Sequence, residues 1–215
     1  MDYSVIIVAA GKGERFSKTT SKILYELPNG KRVIHQTIDA FMENEACKQV
    51  ILVLNDEGML YFKDQSRNGR TVLVKGGNSR QESVYNGLMA VKEDVVLIHD
   101  GARPWIKTDQ INDLVKALET EEAALLTVPL QDTIKVVKDG YVVDTIDRDT
   151  LRRAQTPQGF HTKELIACYK EAMAQGLATT DDAQLYQLIT KKPIRCVEGS
   201  FANEKITTLH DVKGK

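Results

Sequence analysis

Three stretches of this chain carry residue types suited to a highly charged phosphate ligand. The first is Val5-Ile6-Ile7-Val8-Ala9-Ala10-Gly11-Lys12-Gly13-Glu14-Arg15-Phe16, with Lys22 six residues on. Backbone N–H groups approach an anion closely where Gly or Ala leaves room, and Arg15 and Lys22 supply countercharge. The second is Lys75-Gly76-Gly77-Asn78-Ser79-Arg80-Gln81-Glu82-Ser83. Ser79 and Glu82 have capping-box spacing, which predicts a helix from Ser79 to about Val91. Its N-terminal N–H groups would face polar acceptors such as a base or a phosphate. The third is His99-Asp100-Gly101-Ala102-Arg103-Pro104, where a buried run ends in a carboxylate. A single carboxylate suits Mg²⁺, which takes its other ligands from water and substrate phosphates.

Each stretch also has a plainer reading. Gly11 and Gly13 can form a tight turn, Arg15 and Lys22 can be solvated charges, and Asp100 can be a helix cap or an ion-pair partner. His99 reads as packed behind the site, and Trp105, Cys47, Cys168 and Cys196 as packing residues. A dinucleotide fingerprint fails because Phe16 stands where the third glycine belongs, and the Walker pattern is absent.

The elements that would position these residues are legible from hydrophobic patterning. Val5–Ala10, Val50–Leu54, Val95–Ile98 and Ala123–Val128 are near-continuous apolar runs, separated by segments of helical spacing. That pattern predicts an α/β fold: a mostly parallel sheet with helices on both faces and ligands beyond the carboxyl ends of its strands. Helices are expected over about Val33–Glu43, after Asn55-Asp56-Glu57-Gly58, from a Thr108 cap to about Glu119, over about Thr162–Ala174, and from near Thr180-Asp181-Asp182. Strands are expected at Thr71–Val74 and Ile194–Val197. Lys138-Asp139-Gly140 between β-branched runs predicts a hairpin arm at about 131–150, inserted in a single domain spanning 1–215. Its open edges suit a dimer contact. Gln155-Thr156-Pro157-Gln158-Gly159-Phe160 then returns the chain to the main body.

A formal net charge of −1 gives no global basic field for nucleic acid, so an anion site must be local. Three widely spaced cysteines without a C-x-x-C pair point to reduced thiols and a cytoplasmic protein. The early apolar run of about six residues is too short for a membrane span.

The combination is more specific than its parts. Ala9-Ala10-Gly11-x-Gly13-x-Arg15 with Lys22, Gly76-Gly77-x-x-Arg80-x-x-Ser83, His99-Asp100-x-Ala102-Arg103-Pro104, Asp132-Thr133, Thr156-Pro157-Gln158 and Lys205-x-Thr207 occur in that order. Together they resemble, over essentially the whole chain, the cytidylyltransferases that act on sugar-alcohol phosphates. The resemblance implies a Rossmann-like nucleotidyltransferase domain, Mg²⁺ or another divalent cation, and a homodimer joined by the arms. It implies that Ala9, Ala10, Gly11 and Gly13 line a CTP site, with Arg15 and Lys22 on its phosphates. Gly77, Asn78 and Ser83 would contact the cytosine with Arg80 beside them, and Asp100 would bind the metal with Gly101 and Arg103 alongside. Thr133, Arg148, Thr156 and Thr207 would hold the acceptor, and Lys205 would reach the phosphate under attack.

Ala102 and Gly159 favour 2-C-methyl-D-erythritol 4-phosphate as acceptor over ribitol 5-phosphate. A nucleotide-binding module without turnover is the reading from another class, and the full set of basic residues with Asp100 argues against it. Asn78 stands where the family usually has Asp; an amide can still read the base through its backbone N–H. Glu204 stands beside Lys205 where the family has Ile; alternation along an extended segment points it away.

Overall fold

The computed structural model describes residues 1–11, 13, 16, 21–65 and 69–212. The first apolar run is strand β1, Tyr3–Ala9, central in the sheet. Its partners are β2, Cys47–Leu54, and β4, Val95–Asp100, both parallel to it; β3, Thr71–Lys75, adds in parallel outside β2. The run is continuous because both faces of the sheet are covered. Val5 and Ile7 face one apolar layer, shared with α1, Val33–Met42, and α4, Thr108–Ala117. Ile6 faces the other, shared with α3, Arg80–Leu88, α5, Thr162–Ala174, and α6, Asp182–Thr190. A short helix α2, Asp56–Phe62, follows β2, capped by Asn55 Oδ1 accepting the Gly58 N–H at 2.9 Å.

The second half of the sheet departs from a purely parallel plan. Strand β8, Arg152–His161, lies antiparallel between β4 and β5, Ala123–Pro129, and β9, Arg195–Glu198, runs parallel to β5 at the far edge. The full order is β3-β2-β1-β4-β8-β5-β9. Patterning alone does not reveal β8, because its buried stretch includes Gln155, Thr156, Pro157, Gln158 and Gly159. These polar groups are satisfied internally. Gln155 Nε2 donates to the Ser200 carbonyl at 2.8 Å. Gln158 donates to Asp181 and accepts the Ala183 N–H, each at 2.9 Å. Pro157 has no N–H to contribute and sits where the β5–β8 register is irregular.

β6, Ile134–Lys138, and β7, Tyr141–Ile146, form the expected hairpin as a separate two-stranded sheet. Asp139 and Gly140 both take positive φ, 52° and 83°, as a tight hairpin turn of matching twist requires.

Several local expectations need correcting. Thr108 is the first helical residue of α4, and Lys107 is its cap position. Helix α3 ends at Leu88 rather than near Val91. Trp105 is half-buried against the Phe16–Leu27–Val33 cluster, and Cys196 is exposed, whereas Cys47 and Cys168 are buried packing residues.

Gly87 lets α3 lie close on the sheet. A methyl group there would fall 2.9 Å from both Ile6 Cγ2 and Val53 Cγ2, two buried, stiff β-branched side chains. Gly87→Ala gains up to about 1 kcal/mol of helix propensity but overpacks the core by about 1–3 kcal/mol. Urea denaturation should show a net loss on the order of 1 kcal/mol; a gain in stability would overturn this packing account.

Candidate active site

Register sets the site. In the parallel ladders Ala9 pairs with Leu54, Leu54 with Lys75, and Val8 with Asp100. The segments that follow these strands therefore emerge along one edge of the sheet, where the strand-order rule places ligands. They enclose a cavity of about 810 Å³. Ala9, Ala10, Gly11, Gly13, Lys22, Gly77, Asn78, Arg80, Ser83, Asp100 and Lys205 all line it. Asn55, Asp56, Lys75, Gly76 and Glu82 line it too. The strand-end rule pointed to the loop holding Asn55 and Asp56, but nothing in their types marked them individually. Arg15 lies outside the described residues.

The glycine walls are close-built. A Cβ on Gly76 would meet the Ala10 Cβ at 2.4 Å, and one on Gly77 would fall inside the Glu82 side chain. Gly13 has φ 67°, in the left-handed region that favours glycine. The entry to α3 is hydrogen-bonded within itself. Ser79 Oγ accepts the Glu82 N–H at 3.0 Å, and Ser83 Oγ accepts the Gly77 N–H at 3.0 Å. Glu82 Oε2 accepts the Asn78 N–H at 2.7 Å. That last bond engages the Asn78 N–H within the chain, while its exposed side chain lies at the cavity.

Arg80 reaches the cavity from the first turn of α3 and is gripped from behind. Its two terminal nitrogens meet the two oxygens of fully buried Asp182 at 3.1 and 2.6 Å, and the Tyr169 hydroxyl donates to the same carboxylate. A bidentate pair of this kind fixes the plane of the guanidinium as well as its position.

Asp100 is the electrostatic centre. Lys205 Nζ lies 2.9 Å and Arg103 Nε 3.3 Å from its Oδ2. Burial alone would raise its pKa, but Lys205, Arg80 and Arg103 outweigh burial and hold the carboxyl well below the ordinary range. Arg103 also donates from Nη1 to the Asn203 carbonyl at 2.7 Å, and Ile206 N–H bonds to the Ala102 carbonyl at 2.9 Å. These bonds fasten the Asn203–Ile206 segment across the end of β4.

Gly101 and Thr156 stand behind the wall rather than in it. Gly101 is buried, its N–H on the Val8 carbonyl at 2.9 Å. The Thr156 hydroxyl bonds to the Asp100 N–H and to His99 Nδ1, both at 3.1 Å. Thr207 is half-buried beside Lys205, its N–H on Asp211 at 2.7 Å. Thr133 and Arg148 are exposed at the base of the arm, where Arg148 donates to the Gln131 carbonyl at 2.7 Å. Within one chain they do not line the cavity. Glu204 is exposed, while its neighbour Lys205 lines the cavity.

A mostly parallel sheet whose strand ends carry a glycine-walled cavity, with cations converging on one carboxylate, is the arrangement of an α/β protein that takes a nucleotide's phosphates. Comparison with known proteins narrows the class. Residues 3–214 match the family model described as IspD, 2-C-methyl-D-erythritol 4-phosphate cytidylyltransferase. The chain is similar to the 2-C-methyl-D-erythritol 4-phosphate cytidylyltransferase of Bacillus mycoides, 39% identical over 98% of this chain and 94% of that one. It is also similar to that of Bacillus pumilus, 41% identical over 99% and 94%. Among solved structures, the 4-diphosphocytidyl-2C-methyl-D-erythritol synthase of Anaerococcus prevotii superposes with a TM-score of 0.85 at 30% identity, covering 98% of this chain and 94% of that one. The Francisella tularensis cytidylyltransferase gives 0.84 at 31%, covering 99% and 97%. The chain belongs to the IspD family of cytidylyltransferases.

Burial sets a pH limit on the fold. His99 is fully buried, which disfavours its charged form and lowers its pKa from 6.5 to about 4. Between those values the unfolded chain binds a proton that the folded chain refuses. Stability from this group is therefore whole above about pH 6.5 and falls as the pH drops toward 4. Urea denaturation at about pH 7 and about pH 5 should show a loss from this residue on the order of 2 kcal/mol, absent in His99→Gln. Equal losses in the two proteins would contradict it.

Proposed function

We propose that this chain transfers CMP from CTP to 2-C-methyl-D-erythritol 4-phosphate, giving 4-diphosphocytidyl-2-C-methyl-D-erythritol and pyrophosphate in non-mevalonate isoprenoid biosynthesis. One observation carries the reading: Lys22, Arg80, Asp100 and Lys205 converge on a single glycine-walled cavity in a chain of this family.

Charge dictates the mechanism. A phosphate monoester is largely dianionic near pH 7, its second pKa being about 6. Its oxygen attacks the α-phosphorus of CTP without a general base, and the bond to the bridging oxygen breaks as pyrophosphate leaves. The barrier is repulsion between anions and charge growing on the leaving oxygen. Lys22 and Lys205 reduce it by preorganised positive charge, and the family resemblance gives Arg15 the same task. Gly11, Gly13 and Gly76 admit the triphosphate to the backbone.

The donor set suits Mg²⁺ brought in by the triphosphate. Among the described residues no group of three or more His, Cys, Asp or Glu converges. Asp100, held ionised at the cavity wall by the cations around it, is the carboxylate that would take Mg²⁺ completed by phosphates and water. Bound there, the ion would neutralise charge on the reacting phosphates.

The arm supports a homodimer. Val137, Tyr141, Val142 and Val143 are each more than half exposed on an otherwise unpaired two-stranded sheet. Pairing of two arms would cover them and carry Thr133 and Arg148 of one copy toward the acceptor end of its partner's cavity. No helix among the described residues is long and apolar enough to cross a membrane.

Pyrophosphate release from CTP, assayed with each acceptor, tests the reading. Turnover is expected with 2-C-methyl-D-erythritol 4-phosphate; turnover with ribitol 5-phosphate alone would overturn it. Lys205→Ala should lower kcat by about a hundredfold or more, by analogy with the loss of one preorganised donor. Light scattering at micromolar concentration should give a dimer. A monomer with full activity would remove the arm from the site.

A further inference from the structure

The end of β4 is closed by a ring of hydrogen bonds that never touches the cavity. His99 Nε2 lies 3.1 Å from the Arg103 carbonyl oxygen. A carbonyl only accepts, so Nε2 carries the hydrogen. The ring is fully buried, edge-on to Phe41 at 5.0 Å, and its other nitrogen meets a hydroxyl rather than a carboxylate, so it is neutral. Nδ1 is then an acceptor, and the Thr156 hydroxyl donates to it at 3.1 Å. The same hydroxyl oxygen accepts the Asp100 N–H at 3.1 Å. The Thr156 carbonyl accepts from Asn203 Nδ2 at 2.8 Å, and the Asn203 carbonyl accepts from Arg103 Nη1 at 2.7 Å. The circuit runs from His99 through Thr156, Asn203 and Arg103 back to His99.

We propose that His99 is a positioning residue of the reaction: fixed as its Nε2–H tautomer, it closes with Asn203 the ring that holds Asp100, Arg103 and Lys205 in their working arrangement. The inference rests on the transfer reaction proposed above. Arg103 is part of the ring, and Asp100 and Lys205 are tied to it at one remove. Asp100 is held by its own N–H and Arg103 by both its carbonyl and its guanidinium. Lys205 follows two residues after the Asn203 carbonyl. Asn203 adds an independent sign that the ring is more than packing. Its side chain is wholly buried, and its Oδ1 has no hydrogen-bond partner among the described residues. Burying an orphaned carbonyl is unfavourable, and this one is accepted where the amide's donor grips Thr156. The other tautomer would set Nδ1–H against the Thr156 hydroxyl and leave the Arg103 carbonyl facing a lone pair.

Two measurements test this. The first is a long-range ¹H–¹⁵N correlation spectrum of histidine-labelled wild-type protein, with His99 assigned by elimination through His35→Gln, His161→Gln and His210→Gln. It should show the Nε2–H tautomer at His99; the Nδ1–H tautomer would overturn the proposal. The second is steady-state kinetics of His99→Phe, which keeps a ring but loses both nitrogens. It should lower kcat about 10–100-fold with the KM for CTP little changed. His99→Gln can still donate to the Arg103 carbonyl and should recover part of that loss. Wild-type kcat in His99→Phe, or no recovery in His99→Gln at a matched unfolding midpoint, would overturn the positioning role. If the phenylalanine variant does not fold, the tautomer decides. A folded wild type with the Nε2–H signature that releases no pyrophosphate from CTP and the methylerythritol phosphate would overturn the functional reading instead.

Discussion

A carboxylate buried at the end of a central strand stays ionised only if cations from elsewhere come to it. Left alone in a low-dielectric site, a charge of this kind costs several kcal/mol, and neutralisation is the usual escape. Asp100 avoids that route because Lys205 and Arg103 contact the same oxygen and Arg80 adds its field. Two of these cations sit far from it in sequence, and that distance shapes the molecule. Residues 203–206 must cross the end of β4, and α3 must begin beside it. The arginine that starts α3 must in turn be neutralised from behind, by Asp182 at the start of α6. The active-site edge and the packing of α3 and α6 are therefore parts of one electrostatic problem.

The sheet solves the geometric half of it. Parallel strands in register end at the same level, so the loops after β1, β2, β3 and β4 open onto one edge. Small residues there let backbone from different loops approach within contact: Gly76 against Ala10, Gly101 against Ala9. β8 enters antiparallel beside β4 and brings its polar, buried stretch to the opposite side of Asp100. Thr156 is thereby placed to hold the aspartate's own N–H, which a parallel neighbour further along the sheet would not reach.

What could be read from residues alone follows the same physics. The four parallel strand runs were visible because burial on both faces demands unbroken apolar sequence. The hairpin was visible because Asp139-Gly140 needs positive φ, and the glycine loops because close approach needs missing side chains. β8 was hidden because its buried polar residues are paid for by partners such as Ser200 and Asp181, which no pattern announces. Asp182 looked like an ordinary first-turn acid until Arg80, 102 residues away, was found on it. The Asn78 N–H is engaged by Glu82, a bond that the capping-box spacing of Ser79 and Glu82 does not announce. Thr133 and Arg148 carried a family resemblance that no single chain brings to the cavity.

The Asp100–Lys205 pair also bears on how a repulsive encounter between anions is made easier. A lone lysine on a terminal segment would be hydrated and mobile, and a phosphate would have to organise it on arrival. Here Nζ is already held at 2.9 Å by a carboxylate, on a backbone fixed by the Arg103 and Ile206 hydrogen bonds. In the transfer we propose, the lysine exchanges one anionic partner for another without a search through rotamers. Preorganised charge acts in this way: reorganisation is completed during folding rather than at the transition state. The same argument explains why the segment is fastened through its backbone and not through Lys205 itself. The side chain must be free to change partners, while the residues on either side of it must not move.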